Sequence, residues 1–334
     1  MSLVSEFVLR GAGKALPDDR IDNEQLGRLF GVAPESIFER TGVRERRIAP
    51  EGESASTLGA RACEIALRAA EVDPQDLDLV LLSTYTPDRL LCPTAPELAH
   101  RIGAVRAGAF DLNAACSGGV TALITANSLL ASGAFRNALV VASDLTTHYV
   151  RENDDKTRLV FGDGAAAMLL ERPAAAAANR WSVLASIMGA DGSGAEMFHV
   201  PSGGSRCPAI NGHQQDAIRT VVMNGRAIFR FGVQRGADVV AELCGKAGVG
   251  MQEVDWVIPH QANLRIIQSL IDKLPIPRER WFVNIEHYGN TASASIPIAL
   301  IELIESGKVK PGEVILLVAF GAGLTWSGLA LRAG

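Results

Sequence analysis

The amino-acid sequence predicts an α/β fold made of two similar halves. Continuous apolar runs of strand length occur at 77–85, 138–144 and 312–320. Such runs are typical of parallel strands in a sheet that helices cover on both faces. Between them lie longer segments whose apolar residues recur at the spacing of one helix face. Strands and helices that alternate in this way predict an α/β architecture.

The order of these elements repeats once along the chain. Cys116 lies 17 residues before Gly133, and Asn290 lies 17 residues before Gly307; a buried strand follows each glycine. A repeat of this length indicates two structurally similar halves rather than a solenoid. We therefore predict pseudo-twofold symmetry, in which Cys116 and Asn290 occupy equivalent helix N-termini and face one pocket.

Each element of the first half follows from its local pattern. The opening residues predict a strand that ends at a glycine-rich turn, and the 21–48 segment predicts a short helix followed by a basic loop or strand. The remaining elements are a helix at 57–72, a strand at 77–85, a short helix at 95–102, a strand at 110–113, a helix from Cys116 to about Gly133, a strand at 138–144, and a glycine turn followed by a strand within 161–171.

The low-complexity segment 173–180 is the predicted boundary, which gives an N-terminal half at 1–172 and a C-terminal half at 181–334. The second half then repeats the first. Its predicted elements are a strand leading into a helix over 254–263, an apolar helix that starts after 280–290 and ends near Gly307, a strand at 312–320, and a glycine turn with a last strand.

Composition excludes several classes of function. The chain has 334 residues and a net charge of −5, which gives no electrostatic footprint for nucleic acid. No apolar run reaches the ~18 residues of a membrane span. The five cysteines include no CxxC pair, and the six histidines form no cluster, so neither a disulfide framework nor a metal site is expected. Reduced thiols indicate a cytoplasmic protein.

The DLNAACSGG stretch predicts a strand, a sharp turn and a helix, with Cys116 at the helix N-terminus. The helix dipole and unpaired N–H groups favour an anion there, so we expect a lowered pKa and a partly ionised thiol. By itself, the stretch fits either a nucleophile or a buried structural cysteine.

Two further segments carry polar side chains at strand ends. His260 lies in PHQAN directly after a buried strand, where open α/β sheets bind ligands. Asn290 lies in the GNT turn before an apolar helix. Taken singly, His260 also fits a structural histidine, and Asn290 also fits a helix cap.

Taken together, six segments resemble the β-ketoacyl-ACP synthase III family of condensing enzymes. They are TGVRERRI at 41–48, AACSGG around Cys116, FGDGAAA at 161–167, PHQAN at 259–263, YGNTASAS at 288–295 and AFGAGLTW at 319–326. The resemblance implies the thiolase fold, with five αβαβα layers built from two halves. It also implies that Cys116, His260 and Asn290 form the catalytic set.

The resemblance further implies a reaction in two steps. An acyl thioester acylates Cys116, and a decarboxylative Claisen condensation with malonyl-ACP then gives a β-ketoacyl thioester, as in fatty-acid or polyketide initiation. The backbone N–H groups of Cys116 and Gly321 are expected to bind the oxyanion. No cofactor is expected to be bound permanently; acyl-CoA or acyl-ACP and malonyl-ACP are the substrates.

Contacts to CoA or phosphopantetheine are implied for Arg40, Asn263 and Arg265. The chain departs from the family nearby, because Ser36 stands where a tryptophan stacks on adenine and Asp155 stands where an arginine is usual. Both departures suggest an acyl carrier protein as an alternative acyl donor.

Further implied sites lie at the surface and in the acyl pocket. The carrier protein is expected to dock on Arg226, Arg230, Arg265 and Lys273. Leu91, Cys92 and Phe320 are expected to shape the acyl pocket, and the small Cys92 suggests acyl chains larger than acetyl. The loop at 89–97 is expected to cross the interface of a homodimer.

Other members of the fold fit less well. A thiolase needs a second cysteine near the C-terminus, and a non-catalytic partner subunit would lack the nucleophile. The alternative that stays open is a pathway-specific relative from secondary metabolism that transfers acyl groups to another acceptor.

Overall fold

The computed structural model describes residues 5–151, 153–174, 177, 179–208 and 220–334. Within this part the strands are β1 Ser5–Ala15, β2 Arg20–Asp22, β3 Glu45–Arg47, β4 Leu79–Ser83, β5 Gly108–Leu112, β6 Asn137–Asp144, β7 Gly164–Glu171, β8 Arg180–Ala190, β9 Phe198–His199, β10 Val222–Met223, β11 Trp256–Pro259, β12 Val314–Gly321 and β13 Thr325–Arg332. The α-helices are α1 Asn23–Phe30, α2 Pro34–Thr41, α3 Ala55–Ala70, α4 Thr94–Arg101, α5 Gly118–Ala131, α6 Gly225–Ala247, α7 Leu264–Lys273, α8 Ile285–Tyr288 and α9 Ser295–Glu305. Two 3₁₀ turns matter for the site, Ala115–Ser117 before α5 and Ala292–Ala294 before α9.

The predicted strands and helices are present with end shifts of a few residues. One prediction was too simple, because the 21–48 segment holds two helices, α1 and α2, before β3. A left-handed Gly31 ends the first helix, and Pro34 starts the second, which is the usual chemistry of such a break.

The main sheet has nine strands in the order β5-β4-β6-β7-β1-β8-β13-β12-β11. Its two sides are built alike. β6 is parallel to β4 and antiparallel to β7, just as β12 is parallel to β11 and antiparallel to β13. β1 joins the sides, since its first residues pair with β8 and the rest pair with β7. The division into domains 1–172 and 181–334 stays a prediction, and part of its 173–180 boundary lies outside the described residues.

Alternating side chains on the strands bury both faces of the sheet and produce five layers. On β4, Leu79 and Leu81 face the central layer of α5 and α9, whereas Val80 and Leu82 face the outer α3 and α4. On the other side, inward residues of β12 meet the same central helices, and outward ones such as Leu316 meet α6 and α7. The result is the αβαβα arrangement of the thiolase fold.

The internal repeat is real, but its predicted register is wrong by three residues. Asn113 Oδ1 accepts the Ala115 N–H at 3.0 Å, and Asn290 Oδ1 accepts the Ala292 N–H at 2.9 Å. Both alanines have φ of +48°. The counterpart of Asn290 is therefore Asn113, so that of Cys116 is Ser293. Counting back from the glycines failed because α5 has 14 residues and α9 has 11.

Candidate active site

The structure brings Cys116, His260 and Asn290 to one cavity of about 270 Å³. All three are nearly enclosed, with exposed fractions of 6%, 2% and 5%. They come from the N-terminus of α5, the end of β11 and the loop before α9, so the cavity lies where the two sides of the sheet meet.

The turn that carries Cys116 is held by hydroxyl groups from the other side of the sheet. Ser117 Oγ donates to the Ala114 carbonyl at 2.7 Å and lies 2.9 Å from Thr325 Oγ1. Thr325 also donates to the Ala114 carbonyl, and the buried Ser327 donates to the Ser117 carbonyl at 3.0 Å. Hydrogen bonds from β13 therefore hold the turn of Cys116 in place.

The predicted lowering of the pKa of Cys116 is wrong. Burial raises the pKa of Cys116 to about 12, and the charge of Asp144 raises it further. The N–H groups of Cys116 itself and of Ala322 act in the opposite direction but do not compensate. The sulfur is therefore a neutral thiol at pH 7, because desolvation outweighs the helix N-terminus.

Two backbone N–H groups are directed at the Cys116 sulfur. The Cys116 N–H makes no hydrogen bond to another described residue, so it is available. The second N–H directed at the sulfur belongs to Ala322, not to Gly321. Gly321 has a different role, since a Cβ there would lie 2.8 Å from Cys116 N and 3.0 Å from its Cβ. It lets the end of β12 approach the nucleophile.

His260 is held as a neutral imidazole. The backbone N–H of His260 donates to the Val318 carbonyl at 2.8 Å, and the ring Nδ1 lies 2.7 Å from Ser295 Oγ. Phe320 packs edge-on against the ring at 5.5 Å. Burial lowers the pKa of His260 to about 3, so the ring is uncharged at neutral pH. When the Ser295 hydroxyl donates to Nδ1, the Nε2 carries the proton.

Asn290 is fixed at its backbone and at one atom of its amide. Its N–H donates to the Val160 carbonyl at 2.8 Å, and its carbonyl accepts the Gly162 N–H at 3.1 Å. A Cβ at Gly162 or Gly289 would collide with the facing backbone, so both glycines are needed for the two segments to approach this closely. Because Oδ1 accepts the Ala292 N–H, Nδ2 is left to donate. The FGDG segment thus supports Asn290.

Positive side chains lie at the mouth of this cavity. Arg40 and Arg265 line it as predicted, and Lys156, which the sequence reasoning missed, lines it too. The Asp155 carboxylate lies 3.8 Å from the Arg40 guanidinium, so it offsets part of that charge. Asn263 also lines the mouth, but its side chain caps α7 through the Arg265 N–H and donates to the Arg40 carbonyl.

The predicted docking residues are exposed on α6 and α7, beside the same mouth. Within the described part of the chain, Arg226 and Arg230 form no ion pair. Arg265 Nε donates to a backbone carbonyl of α2 at 3.0 Å. Lys273 bonds to Gln234 at 2.7 Å and stands at the far end of α7, about 12 Å from Arg265 along the helix.

The three residues predicted for the acyl pocket separate in the structure. Phe320 is buried at the cavity, between His260 and α6. Leu91 is 89% exposed and Cys92 is also exposed, and neither lines a described cavity of its own chain. Because the loop at 89–97 is expected to cross a dimer interface, the part of these two residues in an acyl pocket stays a prediction.

A second, smaller cavity reaches Cys116 from another side. It encloses about 60 Å³, and its lining includes Tyr85, Phe198, Val221 and Ala322. This volume has room for a small group beside the sulfur, but it does not set the length of the acyl chain. The expectation of acyl chains larger than acetyl gains no support from it. Sequence patterns gave no signal for these residues.

Two negative observations apply to the described residues. They contain no group of three or more His, Cys, Asp or Glu side chains that could hold a metal ion. No helix among them has both the length and the apolar character needed to cross a bilayer.

Comparison with known proteins gives full-length relatives. Residues 110–192 match the family model for 3-oxoacyl-[acyl-carrier-protein] synthase III, and residues 244–333 match the model for its C-terminal part. A β-ketoacyl-[acyl-carrier-protein] synthase III from Roseiflexus sp. is 43% identical over 97% of each chain. The crystal structure of 3-oxoacyl-[acyl-carrier-protein] synthase III from Aquifex aeolicus superposes with a TM-score of 0.88, at 40% identity and 98% and 99% coverage. The priming β-ketosynthase of the R1128 polyketide pathway gives 0.86, at 34% identity and 98% and 96% coverage.

Proposed function

Because the chain belongs to the 3-oxoacyl-[acyl-carrier-protein] synthase III family, we propose that it condenses an acyl group held on Cys116 with malonyl-ACP. The protein is an acyltransferase of the condensing type. The observation that carries the assignment of residues is the meeting of Cys116, His260 and Asn290 at one cavity.

The first step is acylation of Cys116. Its sulfur attacks the carbonyl carbon of an acyl thioester, the C–S bond of the donor breaks, and the thiol proton ends on the departing thiol. The tetrahedral oxyanion accepts hydrogen bonds from the N–H groups of Cys116 and Ala322, which are already in place.

The second step is condensation. Malonyl-ACP loses CO₂, and the electron pair of the broken C–C bond forms an enolate whose oxygen carries negative charge. His260 Nε2–H and Asn290 Nδ2–H donate to this oxygen. The enolate carbon then attacks the acyl carbonyl, Cys116 leaves as the thiolate and takes a proton from solvent, and a β-ketoacyl-ACP is released. Neutral donors suit this step, because they stabilise the enolate oxygen without protonating the carbon that must attack the acyl group.

The test is stepwise. Incubation with an acyl-CoA is expected to add the acyl mass to the intact protein, and malonyl-ACP is expected to discharge it as β-ketoacyl-ACP. Cys116→Ala should lose both signals. If acyl-Cys116 forms but discharges only to an alcohol or amine acceptor, the pathway-specific alternative replaces this proposal.

The acyl donor is either acyl-CoA or acyl-ACP, and the cavity mouth provides the means to distinguish them. The phosphates of either donor would meet Arg40, Lys156 and Arg265. Asp155 adds a carboxylate beside Arg40, so we expect it to weaken binding of the multiply charged CoA more than that of a carrier-bound phosphopantetheine. Asp155→Asn should lower KM for acyl-CoA and leave KM for acyl-ACP within twofold; equal changes in both would contradict this role.

We propose that the acidic carrier protein docks on Arg226, Arg230, Arg265 and Lys273. The first two are exposed beside the mouth and form no ion pair with another described residue, which favours steering of an acidic partner. Charge reversal at Arg226 and Arg230 should raise KM for malonyl-ACP at least fivefold, and the increase should shrink at high salt. Arg68→Glu, on the outer face of α3, is the matched control and should change nothing.

We further propose a homodimer in the cytoplasm. Leu90 and Leu91 are 84% and 89% exposed, and the edge strand β5 leaves Phe110 40% exposed. A second copy that covers these residues would bury an apolar surface that a monomer rarely exposes. Among the described residues, Cys63, Cys92, Cys116 and Cys244 are free thiols, which suits a reducing compartment. Light scattering should give the mass of a dimer. The double variant Leu90→Ser, Leu91→Ser should give a lower mass at the same protein concentration, because the dimer dissociates more readily.

A further inference from the structure

A buried carboxylate with no part in the steps above lies next to both active-site turns. Asp144 ends β6 and is fully buried. Its Oδ1 accepts from Thr84 Oγ1 at 3.1 Å, Tyr85 N–H at 2.9 Å and Thr86 Oγ1 at 3.2 Å. Its Oδ2 accepts from the Ser293 N–H at 3.0 Å and from the Ser293 hydroxyl. Burial raises its pKa to about 6, so at neutral pH it is mainly the carboxylate that accepts all five bonds.

The internal repeat shows what is unusual about this position. Ser293 is the counterpart of Cys116, and β6 and β12 each have eight residues that end at Asp144 and Gly321. Gly321 leaves the Cys116 N–H free for an oxyanion. In the other half the Asp144 carboxylate fills the equivalent space and bonds to the Ser293 N–H permanently.

The Ser293 turn supports both proposed donors to the enolate. Ala292 has φ of +48°, which is uncommon for a residue other than glycine and needs support from its neighbours. Asn290 Oδ1 accepts a hydrogen bond from the N–H of Ala292 itself, and Asp144 Oδ2 accepts one from the N–H of the next residue, Ser293. Two residues further on, Ser295 Oγ contacts His260 Nδ1. Ser293 therefore supports the turn that places the Asn290 amide and the Ser295 hydroxyl beside His260 Nδ1.

We propose that Asp144 is a positioning residue for the condensation step, acting through Ser293 on the turn that orients Asn290 and His260. It touches no substrate. The inference rests on the proposed function, because it assigns these two residues to the enolate and Cys116 to acylation.

The test measures the two half-reactions separately in single turnover. Ser293→Ala removes the hydroxyl but keeps the backbone N–H, so we expect condensation to slow at least tenfold and acylation to stay within twofold. Asp144→Asn should slow condensation at least as much. It should not slow acylation, because loss of the carboxylate charge lowers the pKa of Cys116. The double variant should condense no more than threefold more slowly than the slower single variant, since both changes break the same contact between Asp144 and Ser293.

The matched control is Ser143→Ala. Ser143 precedes Asp144 on β6, is equally buried, and donates to the Ala55 carbonyl at 2.9 Å on the outer side of the sheet. It should leave both half-reactions within twofold. If Ser293→Ala slows both steps equally, the contact is merely structural; if it leaves condensation unchanged, the proposal fails. Should Asp144→Asn not fold, Ser293→Ala decides alone. Failure of the proposed function itself would appear in the wild type, as absence of acyl-Cys116 or of its discharge to β-ketoacyl-ACP.

Discussion

A methyl group at Gly321 should damage acylation without removing any functional group. The position has no left-handed backbone, so alanine is allowed by its dihedral angles. The added Cβ would lie 2.8 Å from Cys116 N, 3.0 Å from Cys116 Cβ and 3.2 Å from Cys116 Cα. None of these atoms is the free end of a flexible side chain.

The size of the effect follows from the displacement that these contacts demand. Ordinary contact begins at 3.4 Å, so the nucleophile backbone or the end of β12 must move by about 0.6 Å. Catalytic groups tolerate about 0.5 Å, and a misplacement of about 1 Å costs about 100-fold. We expect Gly321→Ala to slow acylation 30- to 100-fold as an order of magnitude, and overpacking to lower the free energy of unfolding by about 1–3 kcal/mol.

The assay is single-turnover acylation followed by intact mass, with urea unfolding measured on the same preparation. Gly245→Ala is the control, because a Cβ on this exposed helical glycine meets nothing within 4 Å. It should raise the free energy of unfolding by about 0.5–1 kcal/mol and leave acylation unchanged. Acylation of Gly321→Ala within threefold of the wild type would refute the close-approach argument.

Three further results are expected. Asn290→Ala should slow condensation by about 10²- to 10³-fold, the usual effect of losing one such donor, yet leave acylation of Cys116 intact; equal loss of both steps would contradict its role. The pKa of His260 is about 3 in the folded protein and near 6.5 in the unfolded chain, so the unfolded chain binds a proton first as the pH falls. This group therefore lowers the free energy of unfolding below pH 6.5, by up to ~1.4 kcal/mol per pH unit. Urea unfolding between pH 4 and 7 should therefore give a flatter profile for His260→Gln, and parallel profiles would disprove the assignment. At pH 8, iodoacetamide should alkylate Cys116 about 10³-fold more slowly than free N-acetylcysteine in the same buffer, as measured by peptide mapping, since a pKa of about 12 leaves little thiolate; similar rates would show that the thiol is ionised.

The sequence was sufficient for the elements and for the three central residues. Apolar runs predict strands well when both faces of a sheet are buried, as at 77–85, where β4 lies. Cys116, His260 and Asn290 were candidates because each stands at a strand end or a helix start, and the family resemblance combined them into one set.

What the sequence could not provide depends on packing between distant segments. The pKa of Cys116 rises because both sides of the sheet enclose it, and no local pattern encodes that burial. Ala322 and Lys156 contribute a backbone N–H and a loop cation, so their residue types give no signal by themselves. The exposure of Leu91 depends on a loop path that apolar composition does not fix.

The two active-site turns are held by clamps that cross the sheet in opposite directions. Thr325 and Ser327 of β13 hold the turn of Cys116, whereas Asp144 of β6 holds the turn of Ser293. Each half therefore fixes the reactive turn of the other, and neither turn keeps its geometry unless both halves are packed together. Since the clamps are distinct, substitutions in β13 should act on acylation and substitutions at Asp144 on condensation. The repeated turn has thus diverged into one site that leaves its N–H free for a transient oxyanion and one whose N–H is bound by a permanent carboxylate.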